Sequence, residues 1–515
     1  MKISNLLFSL SPFLIAAIFT YLTLDSITTA ILAFGVWLSM VIGFYIFLNF
    51  FILSIRSKKY SVKLVGKDIN YKIAAFVTSY NEDPKIVEGT LMSVKTAIDG
   101  LGDVFLLDDS TKNEISTELK DFCIKNGIIY FHRDNRRGYK AGAINDALKS
   151  IGDKYDLVAI FDADQRPNED FFKQVLPYFS DPKVAFVQVP QNYSEINSGI
   201  ALGAKYQQEP FLRVIMRGRS MYSAFSLGSG TVFRISVLKE VGYFSEKSIT
   251  EDAATSIKIH EKGYKSVYAD TQLIWYGEPP QDLNAYLIQQ SRWSFGYFQL
   301  TREIIFSNLD FQRFFDYFSG TLYWLKEGPI TLIEFLAPIF FLLFRIPIIK
   351  MNPLVYLAAY IPYLVFSIAL FVFATKDKAE YGIKGFYYHQ VVEYSEFPII
   401  TLSFISWIMR KRTQFKVTPK GTRKFDFRLL LPHIVILSLL IISDILGFIW
   451  LYSATSPNLT YAIAINIFWA SYQIPFLLGT LIIPSRFNKE TRYTSMGKVN
   501  DQYSDYLSNW QSQVL

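Results

Sequence analysis

Residues 157–164 read Leu-Val-Ala-Ile-Phe-Asp-Ala-Asp. An unbroken apolar run with β-branched Val158 and Ile160 suits a strand buried on both faces, because a half-buried strand would alternate. The aspartates that follow stand at the carboxyl end of that strand, where open α/β sheets bind ligands. The same arrangement recurs upstream. Residues 72–78 (KIAAFVT) lead into Tyr80-Asn81-Glu82, residues 103–107 (DVFLL) lead into Asp108-Asp109-Ser110, and residues 128–131 form a further short run. Helical patterns at 87–97, 114–126 and 140–148 lie between them. This alternation predicts a mostly parallel sheet with helices on both faces.

Outside residues 70–300 the composition changes. The chain of 515 residues is 51% hydrophobic and 19% charged, against about 25% charged in a soluble protein. Apolar runs at 6–24, 27–55, 322–344, 353–374, 429–450 and 461–483 each approach or exceed the roughly 20 residues that cross a bilayer. Arg56, Lys58 and Lys59 mark the end of the second run as cytosolic, and Arg486, Lys489 and Arg492 do so after the last. The first run lacks a small-residue cleavage site, so a retained helix is expected in place of a signal peptide. Glu327 and Glu334 inside the third span face either a polar cavity or an interface. Residues 386–409 carry His389, Glu393 and Glu396. Their uninterrupted apolar part, 397–409, is too short to cross, which predicts an amphipathic segment in the interface. With six spans, the loops bearing Lys376, Lys378 and Lys384 and bearing Arg410, Lys411 and Arg412 share the cytosolic side.

The expected organisation is therefore two transmembrane helices in 1–56 and a cytosolic α/β domain in 70–300. An interfacial helix and spans three and four occupy 301–375, a second interfacial helix with a loop 376–428, spans five and six 429–484, and a cytosolic tail 485–515. The net charge of +7 comes from Lys and Arg beside the spans, so nucleic acid is not an expected partner. The single cysteine, Cys123, excludes an intrachain disulfide. The histidines show no zinc-ligand spacing.

Several motifs carry chemistry. Asp162-x-Asp164 offers hard oxygen ligands for Mg²⁺ or Mn²⁺, which would bridge a diphosphate leaving group; D-x-D pairs also occur by chance on surfaces. Thr250-Glu251-Asp252 offers a carboxylate general base at Asp252, and equally suits a helix N-terminus. Gln289-x-x-Arg292-Trp293 puts Gln289 and Arg292 on one helix face, with Arg292 suited to phosphate and Trp293 to stacking on a sugar ring; the bland alternative is an interfacial Trp beside a snorkelling Arg.

Taken in order, Tyr80-Asn81-Glu82, Asp108-Asp109, Lys140-Ala-Gly-x-x-Asn145, Asp162-x-Asp164, Thr250-Glu251-Asp252 and Gln289-x-x-Arg292-Trp293 resemble the processive family-2 glycosyltransferases, the group of cellulose and hyaluronan synthases. Phe415-Lys-Val417-Thr418-Pro-Lys420 looks like the gating loop of cellulose synthase. Phe225-Ser-Leu-Gly228-Ser229-Gly230 resembles its acceptor-end motif, with Leu227 where that family usually has Cys. The resemblance implies a GT-A type domain inserted in a polytopic helical membrane domain. It implies that Tyr80, Glu82, Asp109, Lys140, Arg292, Thr418 and Lys420 hold the nucleotide sugar and that Asp162 and Asp164 hold Mg²⁺ or Mn²⁺. Asp252, with Glu251, would be catalytic; Gln289, Trp293, Gly228 and Ser229 would bind the acceptor. The expected activity is inverting, processive polymerisation from a nucleotide sugar, UDP-glucose first among donors, to a β-glucan moved across the cell membrane. Single-sugar transfer to a lipid carrier is the alternative, although it needs neither Gln289-x-x-Arg292-Trp293 nor the 415–420 motif. Residues 485–515 leave no room for an appended cyclic-dinucleotide-binding domain, so that control is not expected.

Overall fold

The computed structural model describes residues 2–59, 70–194, 196–375, 381–411 and 426–485. The chain divides into two compact units. Among the described residues, one comprises Lys59–Ala201 and Arg219–Pro279, and the other residues 2–58, Leu202–Gly218 and 280–485.

The first unit is built on a seven-stranded sheet. Its strands are β1 (Ile73–Ser79), β2 (Gly102–Asp108), β3 (Ile129–His132), β4 (Leu157–Asp162), β5 (Val184–Gln188), β6 (Thr231–Arg234) and β7 (Lys265–Tyr268). Their order is β3-β2-β1-β4-β6-β5-β7. The first four run parallel, β6 runs antiparallel to both β4 and β5, and β7 pairs parallel with β5. Successive side chains on a strand point to opposite faces, and β1 uses both. Ile73, Ala75 and Val77 pack with Val87, Leu91 and Leu119 from helices Pro84–Ile98 and Asn113–Lys125. Ala74 and Phe76 pack with Ile144 and Leu148 of helix Tyr139–Ile151. The apolar runs read as two-sided strands are therefore covered on both faces. The expectation of a mostly parallel sheet holds for β1 to β4 and gives way at β6, which enters between β4 and β5 in the opposite sense directly after the 225–230 loop.

In the second unit, seven helices among the described residues are long and apolar enough to cross a membrane: Ile3–Thr23, Ile27–Lys58, Phe311–Phe344, Pro353–Thr375, Gly382–Ile408, Phe427–Tyr452 and Pro457–Ile482. That is one more than the six spans expected, and the addition is Gly382–Ile408, expected in the interface. Its acids break the apolar run in the sequence, but each has partners within the unit. Glu396 accepts from Gln207 Nε2 at 3.0 Å and from the Tyr286 hydroxyl at 2.9 Å. Glu393 bonds His389 Nε2 at 2.9 Å and Gln390 Nε2 at 2.6 Å. Buried charges need partners, and here Glu393 finds them on its own 27-residue helix and Glu396 on helices Gly199–Pro210 and Leu283–Ile305. Glu334 is likewise paired, with Lys326 at 2.6 Å and with the Ser39 hydroxyl.

The segment Leu202–Gly218 lies between β5 and β6 in sequence yet packs wholly with the helical unit. Arg213 O accepts from Ser57 Oγ at 3.2 Å. A Cβ on Gly218 would stand 2.4 Å from Leu53 O, and one on Gly203 2.2 Å from Val392 Cγ1. Both contacts require glycine.

Candidate active site

The site residues of the sheet unit gather at the carboxyl ends of β1, β2 and β4. Asp162 closes β4. Its backbone N–H donates to Ser229 Oγ at 2.9 Å, and its Oδ1 takes the Lys140 ammonium. Lys140 stands in the first turn of helix Tyr139–Ile151 and also donates to Gly228 O at 2.7 Å. Gly228 has φ +83°, and a Cβ there would stand 3.1 Å from Asp252 Oδ2 and 3.6 Å from Lys140 Nζ. Four motifs separated in sequence thus meet around one ammonium group.

The electrostatics follow from that crowding. Burial alone would lower Lys140, but Asp162, Glu251 and Asp252 outweigh it and hold the ammonium above the ordinary lysine range. Burial pushes the Asp252 carboxyl above the ordinary aspartate range. The Ala253 N–H and Lys140 oppose that rise, and Asp162 adds to it. Asp252 Oδ1 accepts from Ala253 N at 2.7 Å. Helix Glu251–Glu261 starts here, but the Thr250 side chain makes no capping bond. The helix-start reading of Thr250-Glu251-Asp252 therefore holds for position and not for the threonine's capping role. Glu251 and Asp164 are half-buried.

The tips of β1 and β2 are laced together. Asn81, at φ +52°, accepts from the N–H groups of Thr111 and Lys112 at 3.0 and 3.1 Å, and its own N–H donates to Ser110 Oγ at 2.8 Å. Tyr80 and Glu82 flank it, both half-buried. The Arg136 guanidinium lies 3.3 Å from the centre of the Tyr80 ring. Asp109 is held by a two-pronged bond from Arg133, Nε to Oδ1 at 2.9 Å and Nη2 to Oδ2 at 2.6 Å. Arg133 and Asp109 side chains are only 6% and 7% exposed, and Arg133 reaches Asp146 as well at 3.1 Å. Sequence reasoning missed Arg133 and Arg136, which sit in a charged stretch, residues 132–137, that reads as solvated loop. Breaking a buried pair strands a charge, so Asp109→Ala is expected to lower stability by about 3 kcal/mol, the lower end of the range because Asp146 remains. Thermal unfolding in detergent checks this, and an unchanged midpoint would contradict the structural part of the pair's role.

Asp162 and Asp164 suit a divalent cation. Asp162 is 39% exposed, and the donors are carboxylate oxygens. Among the described residues no group of three or more His, Cys, Asp or Glu side chains converges. Mg²⁺-type sites commonly take one or two protein carboxylates, with substrate phosphate and water supplying the rest. Gln289, Arg292 and Trp293 lie on helix Leu283–Ile305 of the helical unit, each half-buried, with neighbouring Ser291 Oγ 3.1 Å from Ser403 Oγ. Thr418 and Lys420 lie outside the described residues.

Known proteins similar to this chain are glycosyltransferases. A family described as "Glycosyl transferase family group 2" matches residues 157–373. A cellulose synthase catalytic subunit [UDP-forming] of Pseudomonas fluorescens (strain SBW25) is 28% identical over 436 residues, covering 80% of this chain and 56% of that protein. Cellulose synthase 2 of Novacetimonas hansenii is 26% identical, covering 82% of this chain and 26% of its own length. Glucomannan 4-beta-mannosyltransferase 9 of Arabidopsis thaliana is 35% identical over 213 residues, 39% of each chain. The chain spans little more than half, or less, of the length of the curated relatives it matches first. Among solved structures, a mannosyltransferase of Pyrobaculum calidifontis in complex with GDP-Man and Mn²⁺ superposes with a TM-score of 0.50 at 16% identity, covering 66% of this chain and 97% of that one. The sheet unit shares its GT-A type fold.

Proposed function

We propose that this chain, a multi-pass membrane protein carrying a cellulose synthase-like family-2 glycosyltransferase domain, is an inverting hexosyltransferase that extends a polysaccharide from a nucleotide-sugar donor and passes it into the membrane. The observation that carries the proposal is the convergence of Lys140, Asp162, Gly228 and Asp252. Asp252 is the base that takes the proton from the acceptor hydroxyl as that oxygen attacks the anomeric carbon. No other carboxylate is needed as a nucleophile, so one displacement inverts the configuration. Lys140 supplies positive charge beside the donor diphosphate. Asp162 and Asp164 would hold Mg²⁺ or Mn²⁺, which when bound stabilises charge on the leaving diphosphate. Tyr80, Glu82 and Asp109 line the nucleoside side, stiffened by Arg136 and Arg133.

Gln289, Arg292 and Trp293 act on the acceptor end and diphosphate, and Thr418 and Lys420 are assigned to the nucleotide by the resemblance of their motif alone. UDP-glucose and a β-glucan are the first choice of donor and product, supported by the name of the Pseudomonas relative. The test is purified protein in detergent given radiolabelled UDP- and GDP-sugars with Mg²⁺ or Mn²⁺. Alcohol-insoluble polymer from UDP-glucose is expected. A product confined to the lipid extract would favour single-sugar transfer to a carrier, and no incorporation from any donor would overturn the reading.

A further inference from the structure

The loop Leu227–Gly230 brings Gly228 against Lys140 and Asp252 and Ser229 against Asp162. The groups that hold this loop lie outside the motifs. Gln188 ends β5 and is fully buried. Its Oε1 accepts from Leu227 N at 2.7 Å and from the Thr231 hydroxyl at 2.5 Å. Its Nε2 donates to Ser229 O and Val189 O, each at 2.8 Å, and reaches Gly230 O at 3.3 Å. A primary amide has two N–H donors and one two-lone-pair acceptor, and nearly all of that capacity is spent on the loop and its flanks. Two further contacts complete the frame. Ser226 N–H donates to Ser256 Oγ at 3.0 Å, and that hydroxyl donates to Asp252 O at 2.8 Å.

A buried side chain that merely filled space would need none of these bonds, and one that only joined strands would bond the ladder. Gln188 instead grips the backbone of that loop on either side of Gly228, at Leu227 and at Ser229.

We propose that Gln188 is a positioning residue for sugar transfer: its amide fixes the backbone of residues 227–230 and so sets the distance between the acceptor-side loop and the Lys140–Asp162–Asp252 cluster. This rests on the catalytic reading of Asp252. Displacements near 1 Å at a reacting centre cost on the order of 100-fold in rate. Gln188→Met keeps the length and removes every polar contact. It is expected to lower kcat by about 10- to 100-fold and to shift the acidic limb of the pH–rate profile, because the groups facing Asp252 move. UDP affinity with Mn²⁺ should fall by less than kcat does, since Tyr80 and Asp109 are held by Arg136 and Arg133 and not by this loop.

Thr231→Val, which deletes the hydroxyl's bonds to Gln188 and to Ser226 at nearly constant volume, should reproduce the pattern at smaller size and decides the matter if Gln188→Met does not fold. Loss of thermal stability with kcat per folded enzyme and the pH profile unchanged would mean a purely structural role and overturn the proposal. Asp252→Asn is measured in parallel. An inactive Asp252→Asn beside a fully active Gln188→Met overturns this proposal alone. An active Asp252→Asn sinks the catalytic reading alone, and a slow Gln188→Met would then still place the loop under Gln188's control.

Discussion

Asp252→Asn is expected to lower turnover by about 10²- to 10⁴-fold while leaving nucleotide affinity intact. The amide keeps the size of the side chain and can still accept from Ala253 N–H, but it takes no proton. The wild-type pH profile gives a second measure. Burial holds the carboxyl above the ordinary aspartate range. A raised value means the folded site binds the proton more tightly, so the active, deprotonated base is populated only as pH climbs past that raised value. The acidic limb of kcat against pH should therefore lie above the range of a free aspartate and vanish in Asp252→Asn. Wild-type turnover in the mutant, measured with saturating donor, would remove Asp252 from the chemistry.

The second large effect concerns Asp162. Replacing it with Ala removes a candidate cation ligand and at the same time the partner of Lys140. Loss of one preorganised electrostatic element at a leaving group costs about 10²- to 10³-fold, and a similar drop is expected here. EDTA should abolish activity in the wild type, with recovery on adding Mn²⁺ or Mg²⁺. The two roles of Asp162 separate by titration. If it acts through a metal, UDP affinity in Asp162→Ala falls only when metal is present. If it acts only by anchoring Lys140, affinity changes equally with and without metal. Activity indifferent to chelator would contradict the metal role.

The sequence was most legible where burial is strongest. The runs at residues 72–78 and 157–161 could only be two-sided strands, and they are β1 and β4. Asp162 is legible because it ends a buried strand, and Lys140 only through the resemblance of Lys140-Ala-Gly-x-x-Asn145 to the family's motif. β6 escaped because Thr231–Arg234 is short and its antiparallel entry follows from partners supplied by β4 and β5. The uninterrupted apolar part 397–409 is too short to cross because Glu393 and Glu396 interrupt the run in the local sequence, whereas the fold pairs these acids with His389, Gln390, Gln207 and Tyr286 in a helix long enough to span. Arg133 was invisible for the same reason. Its partner Asp109 lies 24 positions away, and no periodicity links the two. Gln188 belongs to none of the motifs, because its partners Leu227, Ser229 and Thr231 lie about 40 positions away.

The excursion of Leu202–Gly218 into the helical unit bears on how this protein is made. A domain usually condenses as a unit while the chain emerges. Here β1 to β5 leave the ribosome first, yet the sheet cannot be completed: β6, which separates β4 from β5, is still downstream of a segment belonging among helices that are themselves mostly unsynthesised. The β4–β6–β5 pairing therefore has to form across a segment that packs both with Ile27–Lys58, already made, and with Gly382–Ile408, still to come. No uninterrupted stretch of the chain therefore encodes the sheet unit alone.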